Sequence, residues 1–150
     1  IQVLDMKDCK EKEVKKNDIK FLYRGTNLSE DLIIISARFK GLIGNKEQIE
    51  KKQFSLVEKK KLSQPNQIKT CGSTYKNINE EKKAWMLIKE AGCESFEEGD
   101  AKISKKHCNF FVNNGKAKSS DIEKIINKVK STVYAKTGVS LELEIKIIGE

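Results

Sequence analysis

Residues 64–77, QPNQIKTCGSTYKN, hold the only Pro of the chain, a Gly-Ser pair and a Lys-Asn pair three residues past the Ser. Polar residues and Gly cluster here between two helical patterns, which predicts a loop leading into a short extended segment. Loops of this kind carry function more often than packing. A serine in such a place can be nucleophile, proton donor, phosphate ligand or plain turn residue, and Gly-Ser alone does not choose among them.

Upstream of the loop, residues 46–62 have sparse apolar positions, Ile49, Phe54, Leu56 and Val57, among Glu, Gln and Lys. That predicts an exposed amphipathic helix, whose Lys-rich end also suits a helix macrodipole. Downstream, residues 82–91 place Ala84, Trp85, Leu87, Ile88 and Ala91 on one side, with Trp85 read as core, and Gly92 stops the helix. Residues 101–104 and 109–113 read as short strands with Asn-Asn-Gly as a turn, and Ser119 or Ser120 caps a second helix carrying Ile122, Ile125, Ile126, Val129 and Val133. Alternating helices and strands through residues 46–137 predict an α+β fold or a two-layer α/β module.

Residues 1–40 read as a small β-rich piece. Ile1, Val3 and Leu4 open a strand, a second follows near residues 11–15, Asn17 caps a brief helical turn, and LIIISARF at residues 32–39 predicts a largely buried strand. At the other end, Val139, Leu141, Leu143, Ile145 and Ile147 alternate with Ser140, Glu142, Glu144 and Lys146. This is a final strand with one apolar face, and it turns Glu144 away from the core.

The 150 residues suffice for an ordinary domain with a core. Thirty Lys and Arg against 22 Asp and Glu give a net charge of +8, which suits an anionic partner or simply a Lys-biased composition. Aromatic residues are few and not interleaved with a basic stripe, which disfavours an RNA-stacking platform. The four Cys, at 9, 71, 93 and 108, form no CxxC pair and accompany a single His, so no metal site is expected and the thiols read as reduced in a cytosol. No apolar run approaches the ~18 residues of a spanning helix. A soluble cytoplasmic protein, without membrane or nucleic-acid partner and monomeric, is the expectation. The chain opens on Ile1 and runs directly into a strand-like segment, as a chain entered partway through would.

Four segments together resemble one family. CGSTYKN after a basic loop with Gln-Pro, FLYRGTNL at residues 21–28, SKKHCNFFVNNGKAKSSDI at 104–122 and GVSLELEIKIIGE at 138–150 stand in the order found in the UDP-N-acetylenolpyruvoylglucosamine reductase (MurB) family. They run through most of the chain from Ile19 onward, in the manner of the family's shorter subtype. The resemblance implies the C-terminal half of the reductase. Residues 1–41 would end the FAD-binding domain, 42–137 would be the substrate-binding domain, and 138–150 a terminal strand returning to the flavin domain. It also implies reduction of enolpyruvyl-UDP-GlcNAc by NADPH through FAD, with most of the FAD site upstream of this chain and the chain alone inactive.

By the same resemblance Arg24 would bind the substrate carboxylate, Ser73 would deliver a proton, and Glu144 would complete the catalytic site, polarising the enol system or orienting a donor if burial keeps it protonated. Tyr23, Lys61 and Asn77 would contact substrate, with Lys59 and Lys60 competing for the place of Lys61 near the diphosphate. Taken singly, these residues also read as a surface Arg, a turn Ser and an exposed strand Glu. His107 and the Cys residues receive no catalytic task. The chain departs from the family at Ile78, where Pro is usual, and at Glu97 and Glu98 before a turn. A basic nucleic-acid- or phosphate-binding module is the alternative that composition alone leaves open.

Overall fold

The computed structural model describes residues 1–149. Two compact units emerge, Ile1–Asn45 and Lys46–Glu150.

In the first unit β1 (Gln2–Asp5) and β2 (Lys10–Glu13) form an antiparallel hairpin, and Lys16–Asp18 makes one 3-10 turn. β3 (Phe21–Leu22) and β4 (Gly25–Thr26) pair as a second hairpin, and β5 (Leu32–Ser36) returns antiparallel along the free edge of β1. The expected buried strand at residues 32–39 is shorter and largely uncovered. It ends at Ser36, and Ile34 is 58% exposed with Ile33 and Ile35 alike. The physical reason is a missing layer: among the described hydrophobic residues of this unit only Val3 is buried. A β-branched run favours extended backbone whether or not anything covers it.

The second unit opens with α1 (Lys46–Ser63), followed by β6 (Lys69–Ser73), α2 (Ala84–Glu90), β7 (Glu97–Glu98), β8 (Ala101–Ile103), β9 (Phe110–Asn113) and α3 (Ser119–Thr137). The strands make an antiparallel sheet in the order β6-β9-β8-β7. Ala84, Leu87 and Ile88 on α2, Ala91 at its C-cap, and Ile125, Ile126, Val129 and Val133 on α3 share one core with Ile103, Phe111 and Tyr75 from the sheet side. This is an α+β arrangement of two layers. Each fully buried Leu or Ile contributes roughly 1.5–3 kcal/mol, so this core dominates the unit's stability.

Helix details follow from local chemistry. Ala84, Leu87, Ile88 and Ala91 keep i, i+3, i+4, i+7 spacing, and Trp85, one position off that stripe, is 38% exposed instead of core. Neither Ser119 nor Ser120 caps α3: the helix starts at Ser119, and the Lys118 N–H donates to the Asp121 carboxylate at 2.9 Å. Gly138, in the left-handed region at φ 69°, ends it with its N–H on the Tyr134 carbonyl at 2.8 Å. α1 is present as expected but buries none of its residues, its few apolar side chains remaining exposed. The β7 hairpin, turning at Gly99 with φ 53°, was not anticipated.

The terminal segment keeps its expected periodicity but not its expected pairing. Leu141 is buried, and Val139, Leu143 and Ile145 pack against the core. Its ladder is a single antiparallel bridge, Tyr75 to Leu143, and Ile147 is exposed. Among the described residues no helix is long and apolar enough to cross a membrane, and no three His, Cys, Asp or Glu side chains group to hold a metal.

Candidate active site

Ser73 closes β6 immediately after a bulge. Thr70 pairs with Val112 and Ser73 with Phe110, three steps on β6 against two on β9, and Gly72 takes φ 87° within the extra step. Such a bulge re-aims the following side chain, and glycine adopts that φ without a Cβ penalty. Phe111 belongs to the helical core, so Phe110 and its partner Ser73 turn to the opposite face of the sheet. Ser73 is half-buried there.

The two residues after Ser73 are held on both edges. On one, the Thr74 N–H donates to the Asn109 carbonyl at 2.8 Å. The Asn109 side-chain amide then serves Tyr75 as a strand would, Oδ1 accepting its N–H at 3.0 Å and Nδ2 donating to its carbonyl at 2.9 Å. On the other edge the Glu144 N–H donates to the Thr74 carbonyl at 2.9 Å, and the Lys76 N–H to the Glu142 carbonyl at 2.8 Å. The Tyr75 hydroxyl donates to the Ile126 carbonyl of α3 at 2.6 Å, and its burial pushes its pKa well up. Both backbone N–H and both carbonyl groups of Thr74 and Tyr75 are thereby satisfied, as buried backbone requires.

This pairing places two of the expected catalytic residues on adjacent backbone segments. Glu144 stands opposite Thr74, next in the chain to Ser73, and because Leu143 packs on the core Glu144 points to the other face. Glu144 is half-buried, and its Oε2 is buried. The neighbouring pair of Lys76 and Glu142, 3.4 Å apart, is exposed and worth little to stability.

The other expected contacts are distributed. Asn77 lies in the same segment, and its Oδ1 accepts the Ala84 N–H at 3.2 Å, so it helps to start α2. Lys61, exposed on the last turn of α1, pairs with Glu58 at 2.9 Å, while its carbonyl accepts from Lys106 Nζ. Tyr23 and Arg24 are the two turn residues of the β3–β4 hairpin in the first unit, both exposed, with the guanidinium 5.0 Å from the Tyr23 ring centre. His107 sits edge-on to Trp85 and Phe110; burial lowers its pKa, and its Nδ1 accepts the Asn109 N–H at 3.3 Å. Cys108 is buried, which pushes its thiol up to about 11 and keeps it unreactive at neutral pH.

Nothing in the sequence singles out Asn109 or Tyr75. The one available signal was an Asn opening an otherwise apolar strand, FFV, where a polar side chain is buried only if its hydrogen bonds are met.

A family model described as UDP-N-acetylenolpyruvoylglucosamine reductase, C-terminal domain, matches residues 64–148. The chain belongs to this family. The reductase of that name from Pelagibacter ubique is 50% identical over 130 residues, 85% of this chain and 43% of that protein. One from the Wolbachia of Brugia malayi is 39% identical over 149 residues, 99% of this chain and 50% of that protein. The crystal structure of the reductase (MurB) from Thermus caldophilus matches with a TM-score of 0.82 at 29% identity, over 97% of this chain and 50% of that one. The chain thus spans about half the length of the family members it matches.

Proposed function

We propose that this chain is the C-terminal half of a UDP-N-acetylmuramate dehydrogenase, a cytoplasmic, monomeric enzyme of peptidoglycan synthesis that reduces enolpyruvyl-UDP-GlcNAc with NADPH through FAD. The observation that carries it is the pairing of Thr74 with Glu144, which brings the carboxyl-bearing residue across from the immediate neighbour of Ser73. Family membership favours this reading over a basic nucleic-acid-binding module.

Residues 1–41 would close the FAD-binding domain, 42–137 bind the UDP-sugar, and 138–150 return toward the flavin. The first unit does not complete a flavin site. It offers an open cavity of about 900 Å³ floored by side chains such as Ile19, Phe21 and Ile34, with Val3 its only buried hydrophobic residue among those described. FAD, when bound, supplies the hydride. This chain's residues supply the rest.

Reduction adds hydride to the terminal vinyl carbon and leaves charge on the carbon bearing the carboxylate, spread as an enolate. Arg24 binds that carboxylate and offsets the charge, a task for a planar, permanently charged fork. Ser73 gives its hydroxyl proton to the carbon and recovers one from solvent. A neutral hydroxyl is a weak acid, so it must be held in reach of a strongly basic centre. Glu144, if burial keeps it protonated, polarises the enol system or orients a donor, and Tyr23, Lys61 and Asn77 contact the substrate.

The test uses the complete reading frame that contains this chain. The protein should be yellow, bleach with NADPH, and be reoxidised without oxygen by enolpyruvyl-UDP-GlcNAc. A colourless protein, or one whose colour the substrate does not restore, overturns the proposal, and nucleic-acid affinity falling steeply with salt would favour the alternative.

A further inference from the structure

The acid–base residues sit on a segment that does not hold itself. Ser73 lies just past a bulge, and Glu144 lies in a terminal segment with a single bridge. What fixes both is the backbone of Thr74 and Tyr75, and that backbone is held from the opposite edge by one residue, Asn109. Asn109 is 3% exposed, and its amide takes both backbone groups of Tyr75 while its carbonyl takes the Thr74 N–H. No strand continues β9 beside Tyr75; the amide stands in for it. The Thr74 carbonyl, on the other edge, is then left oriented to receive the Glu144 N–H.

We propose that Asn109 is a positioning residue for the reduction: its side-chain amide locks Tyr75 beside the backbone bond from Thr74 to its carbonyl, and so holds the segment from which the Ser73 hydroxyl and the Glu144 carboxyl would reach one substrate carbon. Asn109 itself touches no substrate. The inference rests on the roles given above to Ser73 and Glu144. Asn is required for chemical reasons, since the site needs one acceptor and one donor on a short planar group. Asp offers the acceptor but, ionised, repels the Tyr75 carbonyl; Ala offers neither and leaves two buried backbone groups unmet.

The test compares the complete flavin-bearing protein with its Asn109→Ala and Asn109→Asp variants. Bleaching by NADPH and recolouring by substrate are timed separately, and amide hydrogen exchange is read at Thr74, Tyr75 and Glu144. A misplacement near 1 Å costs on the order of a hundredfold, so Asn109→Ala should slow the substrate step roughly ten- to a hundredfold with bleaching unchanged. The Tyr75 and Glu144 amides should lose protection together. Asn109→Asp should recover the substrate step as pH falls, because protonation restores the donor, and wild type should not share that profile. If Asn109→Ala does not fold, the pH profile of Asn109→Asp decides alone. Equal slowing of both steps, an unchanged substrate step, or a flat Asp profile overturns the proposal. A wild-type protein that substrate cannot recolour overturns the underlying reading instead, and the inference with it.

Discussion

The two units differ in what holds them. In Ile1–Asn45 a single sheet layer and two hairpins leave Ile33, Ile34 and Ile35 half-exposed around a lone buried Val3. In Lys46–Glu150 two helices close over a sheet and bury a continuous cluster from Tyr75 to Leu141. The same contrast separates the proposed catalytic groups. Arg24 rides on the tip of a two-residue hairpin turn, whereas Ser73 and Glu144 flank Thr74 and Tyr75, whose backbone polar groups are all met. On the proposed roles, the proton donor would stand on a packed backbone and the carboxylate-binding group on a turn.

The stability contrast can be broken by substitution. Ile125→Ala, in the second core, should cost about 2–5 kcal/mol in chemical denaturation, with the midpoint shifted and the slope kept. A loss below 1 kcal/mol would mean that the core is not the main support. Tyr75→Phe removes the bond to the Ile126 carbonyl and should cost about 1–3 kcal/mol, read as a lower melting temperature. An unchanged melting temperature would remove Tyr75 from the clamp.

Acid sharpens the same region. Burial depresses the pKa of His107 from its ordinary 6.5, so the unfolded chain binds its proton more readily than the folded one. The stabilisation is fully present above about 6.5 and is lost as pH falls from there through the lower folded value. Melting temperature should therefore drop between pH 7.5 and 5.5 in wild type and drop less in His107→Gln; equal slopes would contradict this. The smallest effect belongs to the first unit: Ile34→Ala, half-exposed, should stay near 0.5 kcal/mol or below, and a core-sized loss would show that the strand is covered after all.

How much of this was legible in the sequence depends on whether the signal is local. The helical spacing of Ile125, Ile126, Val129 and Val133 and the alternation of Leu141, Leu143 and Ile145 are local records of which side meets the core, and both appear in the structure. LIIIS reads the same with or without a covering layer, so its exposure was not legible. Trp85 was misassigned because a large aromatic is usually core, while its place off the α2 stripe decides its exposure. The pairing of Thr74 with Glu144 was expected only through family resemblance, since nothing within either segment encodes a contact across some seventy residues. The Asn109 clamp was invisible for the same reason: its partner lies 34 residues away.

The most direct test of the central claim is the anaerobic recolouring of the complete protein carrying Ser73→Ala. If Ser73 delivers the proton from a preorganised site, NADPH should bleach the variant at the wild-type rate while recolouring by enolpyruvyl-UDP-GlcNAc slows by about 10²–10⁴-fold. A variant that recolours as fast as wild type would contradict the account, because the Ser73 hydroxyl would then have no part in the reaction.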